Sequence, residues 1–268
     1  MSLITTLYPW NDTAAPADIT KPGDFLGAWD QKSVHAGASA KRLSAAPEQG
    51  QKTKTKAWTA IPNTQTKSLG IVQYLSSPLW GQAQVTGNWL LAFSLRLPEA
   101  TAQVVWSCLL WLSLVQSNGT NRTTIFNLAV VGATSRTGTG QVTCYNASLA
   151  GANFTPVEND YLCLEVGLTL TNDSGGDVTP TASEYSQGLT DISSDNAAAS
   201  DAQARIVSPA GLYVKEEFGL LLGSPVPPES TLRDTSTRVG LLAPQAAGGV
   251  PVGRLSGLHE GHQKPGGN

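Results

Sequence analysis

The stretch LCLEVGLTLT, residues 162–171, decides the fold. Leu162, Leu164, Val166, Leu168 and Leu170 alternate with Cys163, Glu165, Gly167, Thr169 and Thr171. A period of two puts the two sets on opposite sides of an extended strand. The apolar set reads as a core face and the other as a solvent face, so a half-buried strand is expected here. The turn Glu158-Asn159-Asp160 precedes it, and polar residues 172–176 close it.

The same period recurs on both sides. Trp89, Leu91, Phe93, Leu95 and Leu97 alternate with Leu90, Ala92, Ser94 and Arg96, and Pro98 ends that run. Val104, Trp106, Cys108, Leu110, Leu112 and Leu114 form another inward face. Their alternates include Leu109, Trp111 and Val115, so this strand is expected to be covered on both sides. Asn118-Gly119-Thr120-Asn121 has hairpin-turn chemistry. Residues 104–131 therefore read as one long hairpin, followed by a Ser/Thr/Gly loop at 132–140. Shorter strands are expected at 69–74, 141–149 and 205–207, with a weak one near 178–185. No helical period is present. Seven or eight strands with turns between them predict an all-β, two-sheet antiparallel sandwich of jelly-roll type. The expected organisation is an extended N-terminal arm (1–67), a β-sandwich domain (68–208) and an extended C-terminal tail (209–268).

The flanks differ from the domain in kind. Residues 1–67 are punctuated by Pro9, Pro16, Pro22, Pro47 and Pro62 and show no sustained period. Tyr8, Trp10, Trp29 and Trp58 are spaced along this segment. Such anchors either plug pockets on a neighbouring subunit or fold back on the chain's own domain. Residues 223–268 are rich in Gly and Pro and cannot bury enough apolar surface to offset the entropy of ordering them. A neighbouring subunit is the expected holder, with Leu241, Leu242, Val250, Val252, Leu255 and Leu258 as contacts.

Composition favours association. Charged residues are 14% of the chain, against an average of about 25%. Lys and Glu, which are depleted at interfaces, are the residues in short supply. The net charge of −3 gives no general pull toward nucleic acid. Eight basic and three acidic residues fall between Lys21 and Lys67, whereas residues 137–204 contain no base. The start carries no signal-peptide pattern, and the longest apolar run, 104–115, is too short to span a membrane. Three widely spaced cysteines, Cys108, Cys144 and Cys163, suit neither a disulfide framework nor a zinc site.

The chemistry on offer is thin. His259 and His262 are three apart among Gly and Pro, whereas a zinc protease needs four apart on a helix. His35 stands alone. Glu158, Asp160 and Glu165 are candidate paired carboxylates, but exposed acids on an outer sheet face are far commoner and are the expected reading. Asp173, Asp177, Asp191 and Asp195 lack a calcium-loop spacing. Lys52, Lys54 and Lys56 share one side of an extended segment, as a clamp on an acidic neighbour or as a guarded sheet edge. The expectation is a protein that is not an enzyme and uses no cofactor or metal.

Three features of residues 68–208 resemble a domain of tailed-bacteriophage virion structural proteins. They are the strand entry Thr86-Gly87-Asn88-Trp89, the hairpin tip at Gly119, and the acidic turn running from Glu158 into Glu165. The chain has Asn159-Asp160 where Gly-Asp is frequent in such proteins. The resemblance implies a capsid decoration, collar or tail-appendage subunit located in the virion. Its expected partners are other virion proteins and copies of itself, with no specific nucleic acid and no membrane. The alternative is a carbohydrate-binding module for host-surface glycans, with Tyr145, Tyr185 and loop 177–200 as its platform.

Overall fold

In the computed structural model, residues 5–32, 39–48, 50, 52–97, 103–136, 141–186 and 204–215 are described below. The chain divides into two compact units, Met1–Pro225 and Val226–Asn268, and every described residue lies in the first. Twelve strands follow in chain order: β1 (Thr6–Ala14), β2 (Gln31–Lys32), β3 (Lys41–Ser44), β4 (Thr53–Ala57), β5 (Gln65–Ser76) and β6 (Asn88–Arg96). Then come β7 (Val104–Val115), β8 (Asn121–Arg136), β9 (Gln141–Ala150), β10 (Tyr161–Asn172), β11 (Thr181–Tyr185) and β12 (Arg205–Val207).

The fold is all-β and mostly antiparallel, of the expected sandwich type. One sheet runs β8–β7–β10–β5, and β5 carries β3 and β2 parallel on its far side. The other is centred on β6, with β9 on one side and β11 and β12 on the other; β4 closes it beyond β11. Strand β1 belongs to both. Thr6 and Leu7 pair with β12, and from Tyr8 onward the strand pairs with β3 in the opposite sheet. The inward faces of both sheets meet in one core that includes Trp89, Phe93, Trp106, Leu110, Leu164 and Leu168.

Residues 1–67 differ from the extended arm expected of them. They supply β1 to β4 and the start of β5. The missing period has a physical reason. These strands are short, and β1 changes sheets midway, so no face repeats long enough to register.

The same segment alters β10. Its alternate residues Tyr161 and Cys163 belong to a second apolar cluster with Ala15, Ile19, Phe25, Trp29, Leu109 and Trp111. Residues 15–30 lie over this outer face, so β10 is buried on both sides rather than half-exposed. Strand β7 is likewise buried on both faces, as its composition predicts. Strand β8 continues to Arg136, through the first part of the expected loop. Asn159 takes φ 68° in the turn before β10, a conformation Asn tolerates better than most residues. That accounts for Asn where Gly is frequent. All three cysteines are buried and free.

Candidate functional site

Two buried carboxylates are the conspicuous polar features of the sandwich. Glu165 stands on the outer face of β10 and is fully buried. Its Oε1 accepts from the Leu26 N–H (2.6 Å) and Gln73 Nε2 (2.9 Å). Its Oε2 accepts from the Gly27 N–H (3.0 Å) and Trp29 Nε1 (2.7 Å). Burial pushes its carboxyl up, and these four donors act against that shift. The expectation of an exposed acid at Glu165 is therefore corrected: the segment that covers β10 is fastened through this residue.

The fit of Trp29 is built into the register. Gly70 on β5 and Gly167 on β10 are cross-strand partners at a bulge in the ladder. Their missing side chains leave a bare patch on which the Trp29 ring lies. A Cβ on Gly167 would come 2.6 Å from that ring, and one on Gly70 3.2 Å from it. A spaced aromatic does plug a pocket, and the pocket belongs to the chain itself.

Glu184 lies between the sheets, on the inward side of β11, and is also fully buried. Its Oε2 is 2.7 Å from Asn11 Nδ2 and 2.6 Å from the Tyr74 hydroxyl. The Tyr74 hydroxyl also lies 2.5 Å from Asn11 Oδ1. Glu184 Oε1 has no partner. Glu48 is close by, accepting the backbone N–H groups of Asn11 (2.9 Å) and Asp12 (3.0 Å). Desolvation raises the Glu184 carboxyl to about 7, against the hydrogen bonds from Tyr74 and Asn11. One phenol proton cannot serve both short contacts of Tyr74. A proton on Glu184 resolves this: the acid donates to Tyr74, which donates to Asn11. Asn11 sits on β1 beyond its switch between sheets, so this cluster ties that part of the strand to β11 of the opposite sheet.

Neither carboxylate suits general acid–base work on a substrate. Glu165 is sealed beneath Gly27 and Trp29, and Glu184 is enclosed by both sheets. Asp160, almost fully buried, accepts from Arg122 Nε at 2.8 Å and from the Val157 N–H at 2.9 Å, which fixes the turn before β10. Glu158 pairs with Lys215 at the surface. Among the described residues, no group of three His, Cys, Asp or Glu could hold a metal. Asp173 and Asp177 are exposed on a turn. Asp191, Asp195, His35, His259 and His262 lie outside the described residues. Among the Asn-x-Ser/Thr sequences of the chain, two begin at Asn11 and Asn172, which are buried and hydrogen-bonded.

The candidate contact residues separate into three sets. Trp29 and Trp58 are buried in the chain's own cores. Tyr8 and Trp10, on β1, are half-buried, and Trp10 Nε1 donates to the Ala46 carbonyl at 2.7 Å. Leu241, Leu242, Val250, Val252, Leu255 and Leu258 lie outside the described residues. No sequence period marked Glu184, Asn11 and Tyr74, which come together only through folding. Unpaired strand edges lie at the sheet rim. Strands β4, β8 and β9 each pair on one side only among the described residues. Lys54 and Lys56 sit on β4, which matches the reading of this run as a guarded edge.

No protein-family model and no curated protein matches the sequence. Among solved structures, the chain is similar to a CocE/NonD family hydrolase from Staphylococcus aureus at TM-score 0.41 and 7% identity. That likeness covers 78% of this chain and 36% of the hydrolase. The chain is also similar to the infectious bursal disease virus VP2 subviral particle at TM-score 0.25 and 7% identity, over 67% of this chain and 43% of that one. VP2 of the same virus in derived T=1 particles gives TM-score 0.26 and 9% identity, over 79% and 56% of the two chains. The chain thus spans little more than a third to about half the length of these proteins. Likenesses of this size assign neither an activity nor a role in a particle.

Proposed function

We propose that this chain is a non-enzymatic structural subunit of a bacteriophage particle, a capsid decoration, neck or collar, or tail component. It binds neighbouring subunits through its sheet rims and its C-terminal segment. The observation that carries this reading is the closure of the sandwich on itself. The described core is made from residues between Leu7 and Val214, and Val157 is the only large hydrophobic exposed among the described residues. The proposal assigns residues 216–268 to contacts with another chain. Strands added to an open edge bind through main-chain hydrogen bonds, and many weak contacts sum in an assembly. The low charge content and the resemblance of residues 68–208 to phage virion domains point the same way. Trp29 and Trp58 leave the list of contacts, because both are buried internally; Tyr8 and Trp10 stay on it.

Sedimentation of the full chain and of a chain ending at Lys215 tests the proposal. The shorter chain should keep its melting temperature and lose association with itself and with purified particles. If the full chain sediments as a monomer and also fails to join particles, the proposal is wrong.

A further inference from the structure

Among the described residues, four strands end a hydrogen-bonded ladder: β2, β4, β8 and β9. An open edge is a template for pairing, and proteins blunt it with short strands, charges or bulges. Strand β2 has only two residues. On β4, Lys54 and Lys56 stand opposite Glu184 and Ala182, both fully buried, so the two lysines share the core side of the strand. Charge on that side of an edge opposes continuation of the sheet. Strand β8 shifts register against β7 at four places, and Leu128 takes φ 46°. Bulges of this kind bend and twist an edge away from a flat partner.

Strand β9 lacks these devices over most of its length. Its 10 residues, QVTCYNASLA, include no charge and no proline. Gln141 to Asn146 pair with β6 without a shift, and the one irregularity comes after Asn146. Val142 and Cys144 belong to the core, which holds this edge in place. The regular stretch offers an edge about 20 Å long. The chain also carries a segment suited to it. Residues 229–243, ESTLRDTSTRVGLLA, are the longest run without proline after Lys215, and Glu229, Arg233, Asp234 and Arg238 balance in charge. Thr231, Thr235, Thr237 and Val239 favour extended backbone. We propose that residues 229–243 of a neighbouring copy add to β9 as an extra strand, held by main-chain hydrogen bonds. The inference rests on the particle reading and names the rim that takes the C-terminal segment.

Disulfide trapping between two full-length copies, told apart by size, tests it. One copy carries Tyr145→Cys on β9; the other carries, in turn, Thr235→Cys, Ser236→Cys, Thr237→Cys or Arg238→Cys. Covalent dimers should form at alternate positions, the period of a paired strand, and at none when Thr55→Cys on β4 replaces Tyr145→Cys. Thr143→Lys with Tyr145→Lys should weaken self-association about tenfold or more, with the melting temperature unchanged. Ser236→Pro with Thr237→Pro should weaken it as much, and decides the matter if the β9 lysines prevent folding. Trapping at every position alike, at none, or only within one copy overturns the inference, as does association indifferent to both sets of substitutions. If the chain ending at Lys215 loses association while the β9 lysines leave it intact, the C-terminal segment binds elsewhere: the particle reading stands and this contact does not.

Discussion

Replacing Glu184 with Gln should change how stability depends on pH. Glu184 is a fully buried acid whose folded-state carboxyl is raised from 4.5 to about 7. A raised acid binds its proton more tightly when folded. Its contribution is fully present below the unfolded value of 4.5 and is lost as pH rises through about 7. At about 1.36 kcal/mol per pKa unit, the ionised form costs roughly 3 kcal/mol once pH exceeds both values. Gln cannot ionise and escapes that loss. Its second N–H, placed near the unpartnered Oε1 position, sets a constant offset that does not vary with pH. The groups around the site, Tyr74, Glu48, Asp12, Lys52 and Lys54, are present in both proteins, so their contributions largely cancel in the comparison. Denaturant unfolding at pH 5 and pH 8 should show the stability difference moving by roughly 2–3 kcal/mol in favour of Glu184→Gln at the higher pH. In melting temperature this is roughly 5–10 °C for a domain of this size. Parallel pH profiles for the two proteins would refute the reasoning, because they would mean that Glu184 keeps its charge in the folded state at no cost.

Four further outcomes follow from the packing. Gly167→Ala should destabilise by about 1–3 kcal/mol in thermal unfolding, because the new methyl meets the Trp29 ring on one side and the Leu69 carbonyl on the other; an unchanged melting temperature would place Trp29 elsewhere. Glu165→Ala removes the acceptor shared by the Leu26 and Gly27 N–H groups, Trp29 Nε1 and Gln73 Nε2, leaving Gln73 only its bond to the Asp24 carbonyl, and should loosen residues 24–29, shift tryptophan emission to the red and speed Cys163 modification by a thiol reagent. In the native protein all three cysteines should resist that reagent until unfolding, since each is buried. Asp160→Ala should cost about 1–3 kcal/mol through the orphaned Val157 N–H and the unpaired Arg122, read as a lower denaturant midpoint with an unchanged slope.

Much of the sheet architecture is legible in the sequence. Strands β6, β7 and β10 are long, and their apolar residues keep step with the strand period, so type and inward face follow from chain geometry alone. The β7–β8 hairpin is marked by Asn118 and Gly119, and Gly119 takes φ 86° in the turn. Strands β1 to β4 are harder to see. They run 9, 2, 4 and 5 residues, and β3 and β2 lie parallel to β5, a pairing that no local turn announces. Partial burial on β1 also blurs its alternation, because its two halves serve different sheets.

Alternation in residues 162–171 dictated a strand and its core face, for the backbone allows only two directions for side chains along an extended segment. What covers the opposite face was a tertiary decision. Glu165 looks like a solvated acid in the one-dimensional pattern, since its partners Leu26, Gly27, Trp29 and Gln73 are 92 to 139 residues away. The Gly70–Gly167 patch and the cluster of Asn11, Tyr74 and Glu184 arise in the same manner. Contacts between segments far apart in the chain depend on how layers stack, and layer stacking leaves no period in the sequence.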